Sequence, residues 1–237
     1  MEEAATTLRR TGRPRRFDRD VALGAAMHLF WRHGYEGSSV ADLTRAMGIT
    51  PPSLYAAFGD KRGLFRAAID RYLGGERAVV ATIEAAPSAY AAARDLLIAA
   101  ATGDTGEATP PGCLLASSIV SCAPELVEIR EEVAEIRRAI EAALRARIER
   151  DIVIRTLPPD SDATLLAGHV FAVVQGMSTL AKDGADRTKL LGIAAAVMAG
   201  WPIPVEASGA VESRSGAKGM LEKNRVRWLT GSEAPPK

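Results

Sequence analysis

The chain has 237 residues, of which 47% are hydrophobic and 25% are charged, and its formal net charge at pH 7 is +1. A chain of this length and composition can bury a core large enough to fold without disulfide or metal staples. Its two cysteines form no Cys-x-x-Cys pair, and neither an apolar signal core nor an apolar run of about 18 residues occurs, so we expect a cytoplasmic protein without a disulfide framework, a zinc site or a membrane span.

The first 16 residues carry the densest basic cluster of the chain. Five arginines fall within eight positions around a glycine and a proline: Arg9, Arg10, Arg13, Arg15 and Arg16. Such a segment cannot build a packed core, so we interpret residues 1–16 as a basic flexible arm. Arms of this kind commonly bind phosphate groups; a solvated tail without a partner is the alternative.

Two helices are predicted at the start of residues 17–73. The first begins near Asp18 and ends at Gly34, and the second runs from a Ser39 cap to Gly48, with Asp42 as a short capping-box partner of Ser39. Their apolar residues recur at helical spacing: Leu23, Ala26, Met27 and Phe30 in the first helix, and Val40, Leu43 and Met47 in the second.

Two more helices follow after a tight turn that contains glycine. Pro52 suits the first turn of a short helix, where its missing N–H costs nothing and its fixed φ helps, and Leu54 and Phe58 are its inward anchors. Asp60 caps a longer helix that runs toward Gly74. The second and third of the four predicted helices are thus short and joined by a tight turn, which is the spacing of a helix-turn-helix. In that motif the second of the two helices lies in the DNA major groove.

The rest of the chain is also predicted to be helical. It begins with a helix, a break at Pro87 and a second helix, followed by a loop at residues 104–112. A strongly amphipathic helix starts or kinks at Pro124, and two apolar helices rich in small residues are linked across residues 184–186. From about residue 204 the composition indicates a disordered tail, residues 204–237.

Residues 17–73 resemble the DNA-binding domain of the tetracycline-repressor (TetR/AcrR) family of bacterial transcription regulators. The resemblance is carried by "LFWRHGYEGSSV", "ADLTRAMGI" and "SLYAAFGDK". It implies an all-α fold, with an N-terminal three-helix helix-turn-helix DNA-binding head at residues 17–73 and a C-terminal helical ligand-binding and dimerisation bundle at residues 74–203. It also implies a homodimeric, sequence-specific regulator, most simply a repressor that a small-molecule effector releases from a palindromic double-stranded DNA operator.

The resemblance also implies which residues bind DNA. The expected set is Ser39, Thr50, Pro51, Pro52, Ser53, Tyr55, Ala56, Ala57 and Lys61, with Arg13, Arg15 and Arg16 of the arm. Helix-3 residues would face the groove, while Ser39 and Lys61 would hold the backbone. Tyr55 suits a sugar-phosphate and a thymine methyl, and Ser53 either base type. The alternative is that Tyr55 is only a packed helix residue and Lys61 a solvated one.

The last two predicted helices are our candidates for dimerisation, because their apolar small-residue faces exceed what one thin layer needs; an ordinary bundle core is the alternative. Candidate ligand-binding residues are the polar or aromatic groups on otherwise apolar helices: Cys113, Ser117, His169, Phe171 and Gln175. Each of them also fits a satisfied core residue.

Other functions are less well supported by the sequence. Cys113 follows a glycine at a predicted helix start, so a thiol-based sensor of oxidants or electrophiles is an alternative mode of regulation. An enzyme is not expected, because the chain has three histidines and no phosphate-binding loop or metal-ligand signature, and we expect no cofactor and no metal. A helical interaction module without DNA binding, and activation instead of repression, stay open.

Overall fold

The computed structural model describes residues 17–75, 77–117 and 127–202, and every regular element in these ranges is an α-helix. In chain order the helices are α1 (Arg19–His33), α2 (Val40–Met47), α3 (Pro51–Phe58), α4 (Lys61–Leu73), α5 (Ala78–Ala85), α6 (Ala89–Gly103), α7 (Leu114–Ser117), α8 (Val127–Val153), α9 (Ala163–Lys182) and α10 (Arg187–Ala199). The predicted all-α fold is therefore confirmed for this part of the chain. The predicted arm, Pro124 and the predicted tail lie outside it.

The helix ends in residues 17–73 follow the predicted capping residues. The side chains of Asp18, Ser39 and Asp60 accept hydrogen bonds from backbone N–H groups in the first turns of α1, α2 and α4. Gly48 ends α2 with a φ of 67°, in the left-handed region that glycine adopts without a steric penalty. Local side-chain chemistry thus sets where these helices begin and end.

Helices α1 to α4 close around one apolar cluster, and we call this unit, residues 17–73, the head. Its largest buried side chains are Phe30, Leu43, Leu54, Leu64 and Phe65, each at most 1% exposed. Burying a side chain of this size stabilises the fold by about 1.5–3 kcal/mol. Because α4 packs along α1 and supports α3, the short α3 is held by tertiary contacts that it could not supply alone.

Helices α5, α6, α8, α9 and α10 form a second unit, which we call the bundle. Helix α6 contacts α8, α9 and α10, and the buried residues between them include Leu97, Leu144, Ile148, Met177 and Leu190. A buried ion pair fixes the start of α6 against α8: Asp151 accepts a hydrogen bond from the Ala89 N–H at 2.7 Å, and Arg147 donates to the Pro87 carbonyl at 2.7 Å. The predicted break at Pro87 is confirmed and is anchored at this point.

A loop between α6 and α7 joins the head to the bundle. The Trp31 Nε1–H of α1 donates to the Gly112 carbonyl at 2.6 Å, and the Cys113 N–H donates to Ser178 Oγ of α9 at 2.8 Å. Gly112 has a φ of 80°, and a Cβ there would lie 2.9 Å from the Ser178 carbonyl oxygen. Only glycine allows this close approach. The loop therefore contacts the head through Gly112 and the bundle through the next residue, Cys113.

Helix α9 is long and apolar, with a mean hydropathy of 1.4 over its most apolar window, and it is the one helix in the described ranges that could cross a membrane by length and composition. A core helix of a soluble protein passes the same test, and α9 packs against α6 and α8. Only 22% of that window is buried within the protomer. The helix therefore presents an apolar face that one copy of the chain leaves uncovered.

Candidate nucleic-acid interface

Helix α3 is built so that one face packs into the head and the other faces solvent. Thr50 caps it, with its Oγ1 3.4 Å from the Ser53 N–H, and Pro51 and Pro52 occupy its first two positions. Proline at the start of a helix removes an N–H that has no intrahelical partner. Leu54 is fully buried and clamps the helix to the head.

The exposed face of α3 is mostly apolar. Pro51, Pro52, Tyr55 and Ala56 are exposed, and Tyr55 keeps 50% of its surface in solvent, so it is not a packed core residue. Ala57 is half-buried. Such a face can approach bases closely and contact thymine methyl groups, with few hydrogen-bonding groups to read donor and acceptor patterns.

The two short polar side chains on α3 are bonded to each other. The hydroxyls of Thr50 and Ser53 lie 2.9 Å apart, and Ser53 is half-buried. Each hydroxyl can still offer a second hydrogen bond, since a hydroxyl is both donor and acceptor. The hydrogen bond between the two hydroxyls fixes the direction in which each of them can form its second hydrogen bond.

Ser39 begins α2 at the edge of this surface, but an acid already occupies its hydroxyl. Ser39 Oγ donates to the Asp42 carboxylate at 2.5 Å and accepts from the Asp42 N–H at 3.1 Å. The Asp42 N–H therefore binds Ser39 as the predicted capping box requires, and the Asp42 carboxylate returns the contact through the Ser39 hydroxyl. This hydrogen bond, together with Arg45, lowers the pKa of Asp42. A phosphate at this helix end would have to displace the Asp42 carboxylate from Ser39.

Lys61 starts α4 and is half-buried. Its Nζ lies 4.3 Å from the centroid of the Tyr35 ring, which is a cation–π contact, and burial lowers the pKa of Lys61. The ring therefore fixes the direction of the ammonium group, which makes it a positioned charge and not a freely solvated one.

Two cations that the sequence reading missed also border this surface. Arg19, at the start of α1, lies 4.7 Å from the Phe58 ring centroid at the end of α3, and Arg45 on α2 has a side chain that is 78% exposed. Arg45 stands at helical spacing from Asp42, three residues on. Arg45 lies in the helix before α3, so its charge could have identified it from the sequence, whereas the contact of Arg19 with α3 arises only from the fold.

Comparison with known proteins agrees with this geometry. Residues 22–68 match the family profile described as bacterial regulatory proteins, tetR family. The chain is 38% identical over 196 residues to the HTH-type transcriptional repressor ComR of Escherichia coli (strain K12), covering 81% of this chain and 92% of the relative. The chain belongs to the tetR family. This confirms the resemblance, and the protein is a DNA-binding transcription regulator and not an enzyme.

Other tetR-family proteins give the same result. The chain is 33% identical over 194 residues to the HTH-type transcriptional repressor BdcR of the same Escherichia coli strain, covering 81% of this chain and 92% of the relative. A solved structure of the TetR family regulator CifR, a cysteine mutant complexed with 26-base-pair operator DNA, matches with a TM-score of 0.74 and 41% identity. That match covers 81% of this chain and 100% of the CifR chain.

In this tetR-family regulator, Cys113 lies at the junction of head and bundle. It is half-buried, and its sulfur accepts a hydrogen bond from the Tyr72 hydroxyl at 3.3 Å. Burial raises the pKa of the Cys113 thiol. Because the thiolate is the reactive form, this setting lowers the reactivity that we expect of Cys113, and the redox or electrophile sensor stays an untested alternative.

The remaining candidate ligand residues do not converge. His169 is exposed on α9, whereas Phe171 and Gln175 lie four residues apart and are half-buried. His169 is two residues from Phe171, which puts their side chains on different faces of the helix. The Ser117 side chain lies outside the described part of the structure. A single site made of all these residues is therefore not assembled, and their role in ligand binding stays a prediction.

The structure instead shows an apolar groove between α4, α5 and α8. Its volume is about 540 Å³, and Leu73, Val79, Val80, Ile136, Ile140 and Ala143 are among its lining residues. A second hollow of about 560 Å³ shares Leu73 and Ile136 with it and reaches Arg66 and Glu132. The sequence could not reveal this groove, since the apolar stripe of α8 has the same spacing whether it is covered or open.

Proposed function

We propose that this protein is a homodimeric repressor that binds a palindromic operator through α3 of each protomer and leaves it when a small molecule binds the bundle. The observation that carries the proposal is the exposed, apolar outer face of α3, which Leu54 anchors from the buried side and which includes Tyr55 at 50% exposure. An exposed surface of this kind has little reason to exist on a protein without a partner. The related ComR and BdcR carry the name repressor.

In this proposal the DNA-binding residues divide into two groups. Pro51, Pro52, Tyr55, Ala56 and Ala57 read the groove by shape and methyl contact, with Thr50 and Ser53 supplying hydroxyls. Ser39 and Lys61 contact phosphates, and Arg13, Arg15 and Arg16 of the arm add charge along the backbone or in the minor groove.

The dimer would form through α9 and α10. Exposed residues on each helix recur at spacings of three and four and are mainly small or apolar: Leu165, His169, Ala172, Gly176 and Thr179 on α9, and Thr188, Gly192, Ala195 and Ala199 on α10. We call these two rows the small-residue face. A Cβ at Gly176 or Gly192 would have no atom within 4 Å. Nothing within the protomer requires glycine there, whereas close helix approach between protomers does.

The effector site that we propose is the groove between α4, α5 and α8, because it is apolar and partly enclosed. It is also bordered by α4, the helix against which α3 packs. An occupant that changes how α4 packs on α8 would move the head. A regulator of this kind works where the genome is, so we expect it in the bacterial cytoplasm.

Fluorescence anisotropy with DNA fragments from upstream of the protein's own gene tests the proposal. We expect one fragment to bind at least about a thousandfold more tightly than a scrambled fragment of equal length at fixed salt. Deleting residues 1–16 should lower the slope of log affinity against log salt by about 0.9 for each phosphate that the arm neutralises. Equal affinity for both fragments would contradict sequence-specific binding. An unchanged slope would show that the arm does not bind DNA phosphates.

A further inference from the structure

Two arginines of α4 bind one glutamate of α8. Arg62 Nε donates to Glu132 Oε1 at 3.0 Å, and Arg66 Nε donates to Glu132 Oε2 at 2.8 Å. The Nη2 groups of both arginines also bind Glu132, and Arg62 Nη1 binds Glu128. Both oxygens of the Glu132 carboxylate are therefore used by two guanidinium groups from another helix.

The centre of this cluster is more buried than a typical surface ion pair. The Arg62 and Glu132 side chains are only 30% and 27% exposed. Hydrogen bonds from the two arginines lower the pKa of Glu132 to about 2, against an unperturbed value near 4.3 for glutamate. Arg66 binds both carboxylate oxygens in a forked way, whereas Arg62 directs two donors to Oε1, and a planar guanidinium bound through two donors is fixed in direction as well as distance.

The cluster lies where it controls the head. Arg62 is three residues beyond Gly59, which ends α3, and next to Lys61. On the other side, Glu132 belongs to the part of α8 whose Ile129 and Val133 pack into the apolar cluster of the head. A rotation of the head about α8 would therefore have to break these ion pairs as well as the apolar contacts.

Two of these side chains line the hollow beside the effector groove, and not the groove itself. Arg66 and Glu132 both border the hollow that shares Leu73 and Ile136 with the main groove. A molecule that extends from the groove into this hollow can reach Arg66 and Glu132. The groove, the ion pairs and the start of α4 thus form a continuous set of contacts.

We propose that Glu132 is a positioning residue: by holding Arg62 and Arg66 it sets the angle of the head relative to the bundle and so the fit of two heads to two half-sites. The operator part of this inference rests on the proposed dimer. Arg62 and Arg66 are then not free phosphate ligands, because their donors are occupied by α8. Loss of the cluster reduces discrimination between operator and other DNA more than it reduces general affinity for DNA.

The test compares single substitutions on α8, which leave the DNA-facing residues unchanged. Glu132→Gln should weaken operator binding roughly five- to tenfold, the size of a modest coupling between sites, and leave affinity for scrambled DNA unchanged or higher. Glu132→Asp keeps the charge and should restore most of the operator affinity. Glu131→Gln, one residue away and paired with Arg138 within α8, is the matched control and should bind like the parent protein.

A second measurement needs neither DNA nor a dimer. Spin labels at two exposed sites, Ala46→Cys on α2 and Ala99→Cys on α6, report the distance between head and bundle within one protomer. The native cysteines are replaced by serine, and labelled protein is diluted with unlabelled protein. The parent distance distribution should be narrow, and Glu132→Gln should broaden or shift it.

The outcomes separate the two proposals. A narrow, unchanged distance distribution in Glu132→Gln overturns the positioning role, whatever the DNA results. An equal drop in operator and scrambled-DNA affinity, without rescue by Glu132→Asp, also overturns it. Absent operator binding by the parent protein contradicts the proposed function and leaves the distance measurement to decide on Glu132. If Glu132→Gln does not fold, Glu128→Gln, at a side chain 74% exposed, should give a smaller effect in the same direction.

Discussion

Cys113 illustrates how surroundings decide the chemistry of a side chain. The thiol follows the tightly approached Gly112, its backbone N–H binds Ser178, and its sulfur accepts a hydrogen bond from Tyr72. Burial raises the thiol pKa. Its place is explained by packing at the junction of head and bundle, where the protonated thiol is a small apolar group.

We predict that Cys113 is a slow nucleophile at neutral pH. Iodoacetamide should modify it roughly tenfold or more slowly than it modifies a free thiol, because little thiolate is present. Mass spectrometry of the peptide that contains Cys113 measures the rate separately from that of Cys122. Tyr72→Phe tests whether the hydrogen bond contributes. If Cys113 is modified as fast as a free thiol, and if the modification releases DNA in a way that Cys113→Ser abolishes, the result would support the thiol sensor.

Asp104 is a second residue whose burial has a measurable consequence. It is 2% exposed, its Oδ2 has no hydrogen-bond partner among the residues that the structure describes, and burial raises its pKa to about 7, an effect that Lys182 partly offsets. The folded state therefore binds this proton more tightly than the unfolded chain, whose aspartates have a pKa near 3.9. The resulting stability is complete below about pH 4 and is lost as pH rises to about 7.

We predict that Asp104→Asn stabilises the protein progressively as pH rises. The free energy of unfolding relative to the parent should increase between pH 4.5 and 7 and level off above that, by up to about 4 kcal/mol. Urea unfolding across this range measures it. Asp160→Asn, on an exposed loop, is the control and should show no such trend. A difference that does not change with pH would show that Asp104 stays charged in the folded protein.

At the scale of single helices, the head was the most predictable part of the molecule. Local side-chain chemistry determines its helix ends. Ser39 and Asp60 are N-caps, Gly34 and Gly48 end the helices α1 and α2, and Pro52 lies in the first turn of α3. These effects act over three or four residues, so a sequence displays them directly. The predicted DNA-binding residues of α3 are also mostly exposed for this reason, since Leu54 fixes the face that turns inward.

Features that depend on distant residues could not be predicted in the same way. Glu132 and Arg62 are separated by 70 residues in sequence, and nothing in their local pattern distinguishes this pair from the other charged residues of α8. The groove arises because α4 and α5 leave part of α8 open. His169 and Phe171 were grouped as polar or aromatic residues on an otherwise apolar helix, although the helix turns their side chains apart. Tertiary geometry decides all three cases.

For α3 we predict a binding effect without a stability effect. Tyr55→Ala should weaken operator binding roughly tenfold, because it removes the largest exposed side chain on the proposed reading face. Its melting temperature should stay close to that of the parent protein. Tyr90→Ala on α6 removes a tyrosine of similar exposure, 43% against 50%, and should leave operator binding intact. Equal operator affinity for Tyr55→Ala and the parent would place the interface elsewhere.

At the scale of the whole molecule, the small-residue face links the proposed dimer to DNA binding. Two heads must meet half-sites about 34 Å apart, one turn of DNA, and one protomer offers a single head. Covering an exposed apolar row on α9 and α10 with the same row of a second copy satisfies both requirements, because an isologous interface places the two heads symmetrically.

We predict that Gly176→Glu or Gly192→Glu converts the proposed dimer to a monomer that still folds. A Cβ at either site meets nothing within 4 Å, so the fold of the protomer tolerates the side chain, whereas a second helix pressed against the row does not. Light scattering should show half the mass, and operator affinity should fall roughly a hundredfold or more, since the two heads no longer bind as a linked pair. Gly103→Glu, at another glycine with open space around its Cβ, should remain dimeric. A Gly176→Glu protein that stays dimeric and binds the operator normally would exclude this face as the interface, because a buried pair of unpaired carboxylates at a symmetric contact is too costly to persist.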